Sequence, residues 1–359
     1  MTPVLVRPQS NSSHTTAAPL RMALIGAGGM ARHHLHMLLA APEQLRRQIE
    51  IVALCEPSPE QYALAAAHFT DVGMAAPPQA PDVSTLLRDF AGALDAVFII
   101  TPHVLHHDQA AACMEAGLDV LLEKPMVMNA AEARSLIAIQ QRTNRLLVVA
   151  FNGSLSPQIR KAASLIQSHT LGELVSLSAT VWQSWRQNTN ATWRQDARLS
   201  GGGFLFDTGA HMLNTVTDLA GDPIVEVTAR LEDWGAPVDI VGAVMGRMAS
   251  GALITMHGSG QTAPVGGLTI GSEVRAFCTQ GHLLTGVWGE RLLVQHPGDF
   301  HLRRLAVARR VGVWEQFLRV RRGRMANPSP AATGLRMALL WDAIQLSNQR
   351  HGAWVDVDR

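Results

Sequence analysis

Lysine is almost missing from this chain of 359 residues: two lysines stand against 28 arginines. Lys161 sits beside Arg160 on a stretch that reads as ordinary helix, and nothing gives it a role. Lys124 lies in Glu123-Lys124-Pro125, directly after the apolar run 118–122. Arginine serves as well for surface charge and better for bidentate pairing, whereas the compact lysine ammonium can shift its pKa and give up a proton. Lys124 is therefore a candidate for proton chemistry, although a codon bias toward arginine accounts for the count equally. Cysteine is scarce too. Cys55, Cys113 and Cys278 are odd in number, far apart and without CxxC spacing, which excludes a disulfide framework and fits reduced, buried thiols in the cytoplasm. Charge of one sign is lacking: 30 basic and 29 acidic residues give a net +1, so nothing global points to nucleic acid or a membrane. No apolar run approaches the ~20 residues of a membrane span. Residues 1–20 lack both an apolar core segment and twin arginines, and read as a disordered tail rather than an export signal.

What is present is an alternation of apolar strands and helices. Strand-like runs at 21–25, 49–54, 96–100, 120–122 and 146–150 are apolar throughout and alternate with helical patterns at 61–69, 108–116 and 130–141. That pattern predicts a parallel sheet covered on both faces. After Asn152 the texture changes. A helix over 156–168 leads into β-branched and alternating segments at 174–182, 224–231, 240–247, 253–258, 268–271 and 274–278, which predict a largely antiparallel sheet. Helices are expected at 204–220, near 311–322 and at 330–348. The chain thus reads as α/β: a Rossmann dinucleotide-binding domain over 21–150, then an α/β domain over 151–359 with an open, mostly antiparallel sheet. The last helix is placed to fold back on the first domain.

Two constellations carry chemistry. Gly26-Ala27-Gly28-Gly29-Met30-Ala31 follows a strand and opens a helix. Its first glycine permits the tight turn, the second lets the backbone approach a pyrophosphate, and the small Ala31 lets helix and strand pack closely. Glu56 at the tip of the second strand can accept hydrogen bonds from ribose hydroxyls and would repel a 2′-phosphate. No arginine follows it closely in sequence, so NAD is favoured, with NADP as the alternative. The second constellation is Gly201-Gly202-Gly203 before Asp207 and His211, which stand four residues apart and share a helix face. A carboxylate beside an imidazole can orient it as a general base. A capping aspartate and a packed histidine explain the same spacing.

Together these pieces resemble the glucose–fructose oxidoreductase / inositol dehydrogenase / rhizopine catabolism family. The motifs that carry the likeness are Gly26-x-Gly28-x-x-Ala31, Thr101-Pro102 with His106, Glu123-Lys124-Pro125, Trp193-Arg194 leading into Gly201-Gly202-Gly203-x-x-x-Asp207-x-Gly209-x-His211, and 327–330 before the final helix. The resemblance implies NAD across the sheet edge, touching Gly26 to Ala31, Glu56, Thr101, Pro102, His106, Glu123 and Lys124. It implies that His211 takes a proton from a substrate carbinol, that Lys124 donates to the same oxygen, and that Asp207 orients His211. It also implies that the Lys124–Pro125 bond is cis. Trp193, Arg194 and Asn152 are candidates for substrate contact. The implied activity is hydride transfer from a secondary alcohol of a sugar, polyol or related cyclic compound. An NAD-dependent glycosidase working by transient oxidation and elimination, or a dinucleotide-binding regulator, share the fold. Homodimers or homotetramers are implied as well.

Some features depart from that pattern or stand outside it. Residues 151–155 replace a paired arginine motif that relatives carry, removing two pocket cations and speaking against an anionic substrate such as a sugar phosphate. Asn214 stands for an aspartate at a position expected to be structural. The histidines at 33, 34 and 36 and at 103, 106 and 107 have no cysteine or carboxylate to complete a metal site, and no metal is expected. Eight arginines between Arg303 and Arg324 read as a solvated helix face, or as a rim that contacts phosphate.

Overall fold

The computed structural model describes residues 18–263 and 270–357. The expected tail lies almost entirely outside them, as does half of the expected strand at 268–271. The described part builds two sheets.

The first sheet has six strands, ordered 3-2-1-4-5-6 in chain order and all parallel. Its central strands, Leu20–Ile25, Ala96–Ile99 and Asp119–Leu122, are buried on both faces, which is why their sequences run apolar without alternation. The strand order reverses between Leu20–Ile25 and Ala96–Ile99. The crevice at such a reversal, outside the carboxyl ends of the strands, is where open α/β sheets bind ligands. Residues 70–95, for which the sequence predicted no helix or strand, supply a two-residue edge strand, Gln79–Ala80, and the helix Val83–Phe90, capped by Asp82.

The second sheet has nine strands. Leu174–Gln183 and Leu253–Ser259 run parallel; the other pairings are antiparallel. Val241–Met248 and Leu253–Ser259 alternate buried and exposed residues, the mark of a sheet covered on one face. Helices Pro157–Gln167, Gly209–Ala220 and Ala331–Gln349 share its core, while Met245, Leu253 and Phe277 stay exposed on the open face. The short strands His282–Thr285 and Leu292–Gln295 extend the sheet beyond what the sequence indicated.

Two helices join the sheets. Ala331–Gln349 lies between them: Asp342 accepts from Ala130 N–H (2.9 Å), while Ser347 and Asn348 accept from Ala229 and Leu231 N–H (both 2.9 Å). Val313–Arg321 sits beyond the expected boundary at 150 yet packs on the first sheet. Trp314, Phe317 and Leu318 share a core with Met22, Leu24 and Phe98, and Trp314 Nε1 donates to the His34 carbonyl at 2.9 Å.

Candidate active site

The glycine loop opens at the strand-order reversal. Gly26 has φ +95°, and a Cβ there would lie 2.5 Å from the Ile100 carbonyl oxygen, so only glycine lets the turn rest against the neighbouring strand end. Gly28 differs: a Cβ there would meet nothing within 4 Å. Helix Gly29–Leu39 starts beyond it with no side-chain cap, so its first N–H groups are open to an anion. This free cradle fits a pyrophosphate. Glu56 accepts from Ala27 N–H (2.8 Å) and Ser58 N–H (2.9 Å). It thereby ties the loop to the next turn and keeps lone pairs for ribose hydroxyls. Sequence distance concealed one residue here. Arg32 donates to the Ala27 carbonyl (3.0 Å) and to Gln61 Oε1 (2.6 Å), so an arginine stands close to the Glu56 turn after all.

Thr101 follows strand Ala96–Ile99, and its hydroxyl donates to Gln109 Oε1 at 2.6 Å. The role expected for His106 needs correction. It is fully buried, with Nδ1 2.8 Å from the Pro125 carbonyl and Nε2 3.0 Å from that of Thr101. It braces two loops under the cleft and cannot touch a ligand in it. The Lys124–Pro125 peptide it braces is cis.

Lys124 leaves strand Asp119–Leu122 and reaches into the second domain. Its Nζ donates to Asp207 Oδ1 (2.8 Å) and to the Asp207 carbonyl (3.0 Å). An ammonium carries three protons, so one remains free of any acceptor among the described residues. Asp207 Oδ2 accepts from Trp185 Nε1 (2.8 Å) and Arg194 Nε (3.2 Å). Burial works to raise the Asp207 carboxyl, but Lys124 and then Arg194 outweigh it and hold the group far below the usual carboxylate range.

Asp207 therefore serves Lys124, and the expectation that it orients His211 is corrected. The helix expected over 204–220 breaks at Thr208 into Phe204–Asp207 and Gly209–Ala220. His211 N–H bonds the Thr208 carbonyl three residues back (3.2 Å), and the Asp207 oxygens bond Lys124, Trp185 and Arg194 rather than the His211 ring. Asp239, from the far side of the sheet, accepts from Gly203 and Leu205 N–H (2.6 and 2.9 Å) and caps the first piece. A Cβ at Gly203 would lie 2.0 Å from the Asp239 carbonyl oxygen, so the triple glycine is there for close packing. The His211 ring is buried, and its Nδ1 has no partner among the described residues. Burial, followed by the charge of Lys124, pushes its pKa down to about 3, against the pull of Glu123 and Asp207.

Four supporting residues have roles that the sequence did not assign them. His34 Nε2 lies 2.7 Å from Glu123 Oε1, while Glu123 Oε2 accepts from Lys124 N–H at 3.0 Å. Burial would raise the Glu123 carboxyl; His34 and Lys124 instead hold it at about 2. His103 Nδ1 lies 2.7 Å from the Ser200 carbonyl, and its Nε2 is 4.0 Å from Asp207 Oδ1. Burial pushes its pKa down to about 3. Trp185 and Arg32 complete the group. They carry no sequence signal, because each acts through a partner far along the chain. The expected histidine clusters are dispersed: His34 and His103 serve the site, while His107 pairs with Asp108 and Ser135.

The substrate candidates separate. Asn152 lines a cavity of about 820 Å³ together with Glu123, Lys124 and His211. Trp193 packs edge-on against His103 (4.7 Å between centroids) and carries the Arg194 guanidinium over its ring (4.4 Å). Neither Trp193 nor Arg194 is among the cavity's described walls; they buttress His103 and Asp207. Asn214 donates to Ser154 Oγ (2.7 Å) and Asp218 Oδ2 (3.2 Å), the structural role expected of it.

A Rossmann sheet with an open phosphate cradle, linked through helix Ala331–Gln349 to a nine-stranded sheet, with a lysine–aspartate–histidine cluster in the cleft, defines a two-domain dinucleotide-binding protein. The chain belongs to the Gfo/Idh/MocA oxidoreductase family: residues 20–151 match its NAD-binding Rossmann fold and residues 159–284 its C-terminal domain. It is 28% identical over 224 residues to levoglucosan dehydrogenase of Pseudarthrobacter phenanthrenivorans, covering 60% of this chain and 54% of that one. It is 28% identical over 219 residues to D-glucoside 3-dehydrogenase of Escherichia coli, covering 60% and 58%. The chain thus spans a little over half the length of these relatives. A solved levoglucosan dehydrogenase in complex with NADH and levoglucosan shares the fold, with TM-score 0.81 at 24% identity over 95% of this chain and all of the other. An NAD binding oxidoreductase from Klebsiella pneumoniae matches with TM-score 0.77 at 25% identity, over 95% of this chain and 100% of the other.

Proposed function

We propose that the protein is an NAD-dependent dehydrogenase that acts on a secondary alcohol of a sugar, polyol or related cyclic compound. The observation that carries this reading is the meeting of Lys124 and His211 on one cavity, Lys124 with one proton unused and the His211 ring with no hydrogen-bond partner among the described residues. Relatives named for levoglucosan, D-glucoside and D-xylose oxidation support the substrate class. Bound NAD would supply the hydride acceptor, held by the Gly26–Ala31 loop and Glu56. The third Lys124 proton donates to the substrate oxygen and stabilises negative charge as it develops there. Asp207 keeps the ammonium aimed. The neutral His211 ring takes the hydroxyl proton, a step worth ~10²–10⁴ in rate from a well-placed base. His34 and Glu123 fix the Lys124 backbone from below. NADP remains the alternative cofactor, because Arg32 lies beside the Glu56 turn.

Among the described residues no helix is long and apolar enough to cross a membrane. The free, buried Cys55 and Cys113 thiols, both pushed up to about 12 by burial, suit a reducing cytoplasm. The open face with Met245, Leu253 and Phe277 is where we assign assembly into a homodimer or homotetramer; light scattering tests it. The central test is Lys124→Met assayed over a panel of sugars and polyols. NADH formation should vanish while NAD still binds in a fluorescence titration. Full turnover in that variant would falsify the assignment.

A further inference from the structure

The cavity does not end at Lys124 and His211. It runs from them along helix Gly29–Leu39 to a wall formed by residues 309–324. Gly26, Gly28, Glu56, Thr101 and Pro102 are not among its walls, so this space continues past the place of the cofactor. Its far wall carries Arg309, Arg310, Arg319, Arg322 and Arg324, against the carboxylates of Glu315 and Glu123. Those carboxylates are already engaged. Glu123 holds His34 and the Lys124 N–H. Glu315 pairs with Arg319 and lies 3.7 Å from Arg309. Arg322 is met by the neutral Gln48. Arg310 has no side-chain partner among the described residues. The wall is therefore left with uncompensated positive charge.

Two further features share that wall. Helix Val313–Arg321 begins there, at Gly312, without a side-chain cap, so its first N–H groups add to the positive field. Gln316 is 2% exposed and donates to the carbonyls of Leu155 (2.9 Å) and Val311 (3.1 Å), but its Oε1 has no partner among the described residues. That Oε1 is itself closed off from the cavity, which offers a base at one end, the His211 ring, and cations at the other.

We propose that the substrate of this site is a polyhydroxylated compound bearing an oxyanion, carboxylate or phosphate, that binds Arg310, Arg309 and the open N-terminus of helix Val313–Arg321. This inference rests on the hydride-transfer reading for the other end of the molecule. The arginines from 309 onward restore the cationic character that the residues at 151–155 lack. An anion there also bears on catalysis. Arg310 is among the charges that hold the His211 ring neutral, after burial and Lys124. An anion on Arg310 relieves that repulsion and makes His211 a stronger base when substrate is bound.

The test uses the full chain and matched probes. Glucose, glucuronate and glucose 6-phosphate are compared as hydride donors to NAD, and inorganic phosphate and glucuronate are titrated into the NAD-free protein by calorimetry. At least one anionic sugar should exceed glucose in kcat/KM about tenfold or more, the effect of a charge-assisted hydrogen bond. The carboxylate and phosphate arms report which anion the wall prefers. In Arg310→Gln, and more so with Arg309→Gln added, that preference and the calorimetric affinity should drop by about tenfold, and Arg310→Lys should recover part of both. NAD affinity should not change. Equal use of glucose and both anionic sugars, or a loss confined to NAD affinity, overturns the anion site and leaves hydride transfer standing. Anion binding that depends on Arg310, with no sugar oxidised, supports the anion site and sinks the hydride-transfer reading.

Discussion

The two sides of the cleft are finished differently. On the cofactor side nearly every polar group is already engaged: Glu56 with Ala27 and Ser58, Arg32 with Ala27 and Gln61, and His106 with Thr101 and Pro125. Among the described residues the helix N-terminus beyond Gly28 is left open, beside the remaining lone pairs of Glu56. The substrate side keeps three positions unused: the third Lys124 proton, the His211 ring and the Arg310 guanidinium. A buried polar group without a partner costs free energy that a completing ligand returns. The cofactor side thus behaves as a rigid seat whose own bonds hold its shape. The substrate side is an incomplete hydrogen-bond network that a substrate would close.

That contrast can be broken most sharply at His211 and Asp207. His211→Ala should lower kcat by ~10²–10⁴-fold with little loss of stability, because the ring has no hydrogen bond to lose. Asp207→Ala should both slow turnover and destabilise the fold. It strands the Lys124 ammonium and the Trp185 N–H in a buried site, at a cost of about 3–5 kcal/mol. Urea unfolding of the two variants separates them. If His211→Ala destabilises as strongly as Asp207→Ala, the division between an open and a satisfied group is wrong.

A smaller effect is expected on the cofactor side. Glu56→Ala removes the acceptor for Ala27 and Ser58 as well as the seat for the ribose hydroxyls. Affinity for NAD should fall on the order of tenfold, as for loss of a charged hydrogen bond. Affinity for NADP should fall less, since the repulsion of its 2′-phosphate goes too. Fluorescence titration of both cofactors measures the ratio. An equal loss for each assigns Glu56 to holding the loop alone.

The same division tracks what could be read in the chain. The glycine loop, Glu56 and the Lys124-Pro125 step were legible because each is a local event at the end of an apolar strand. The partners of Asp207 were not. Lys124 is 83 residues away, and helical spacing alone pairs Asp207 with His211 without showing that Lys124, Trp185 and Arg194 claim its oxygens. Helix Val313–Arg321 was legible as a helix, but its return to the first sheet was not. Periodicity shows that a face is apolar without showing which core receives it. The strands His282–Thr285 and Leu292–Gln295 are four residues each, too short for alternation to register.

A further effect concerns pH, and its sign follows from burial. His103 and His211 are pushed from 6.5 down to about 3, chiefly by burial. Below 6.5 the unfolded chain binds protons that the folded chain refuses until about 3. Their neutral burial therefore carries no penalty above 6.5, and stability falls progressively as the pH drops from there. The rate should behave differently. In the free protein His211 stays neutral across the range from about pH 5 to 8 in which an ordinary histidine titrates, so kcat/KM should show no acid limb near 6.5 from this ring. Urea midpoints and kcat/KM measured across that range test both halves together. A limb near 6.5 that disappears in His211→Ala, measured on its residual rate, would mean that the ring is solvated rather than buried beside Lys124.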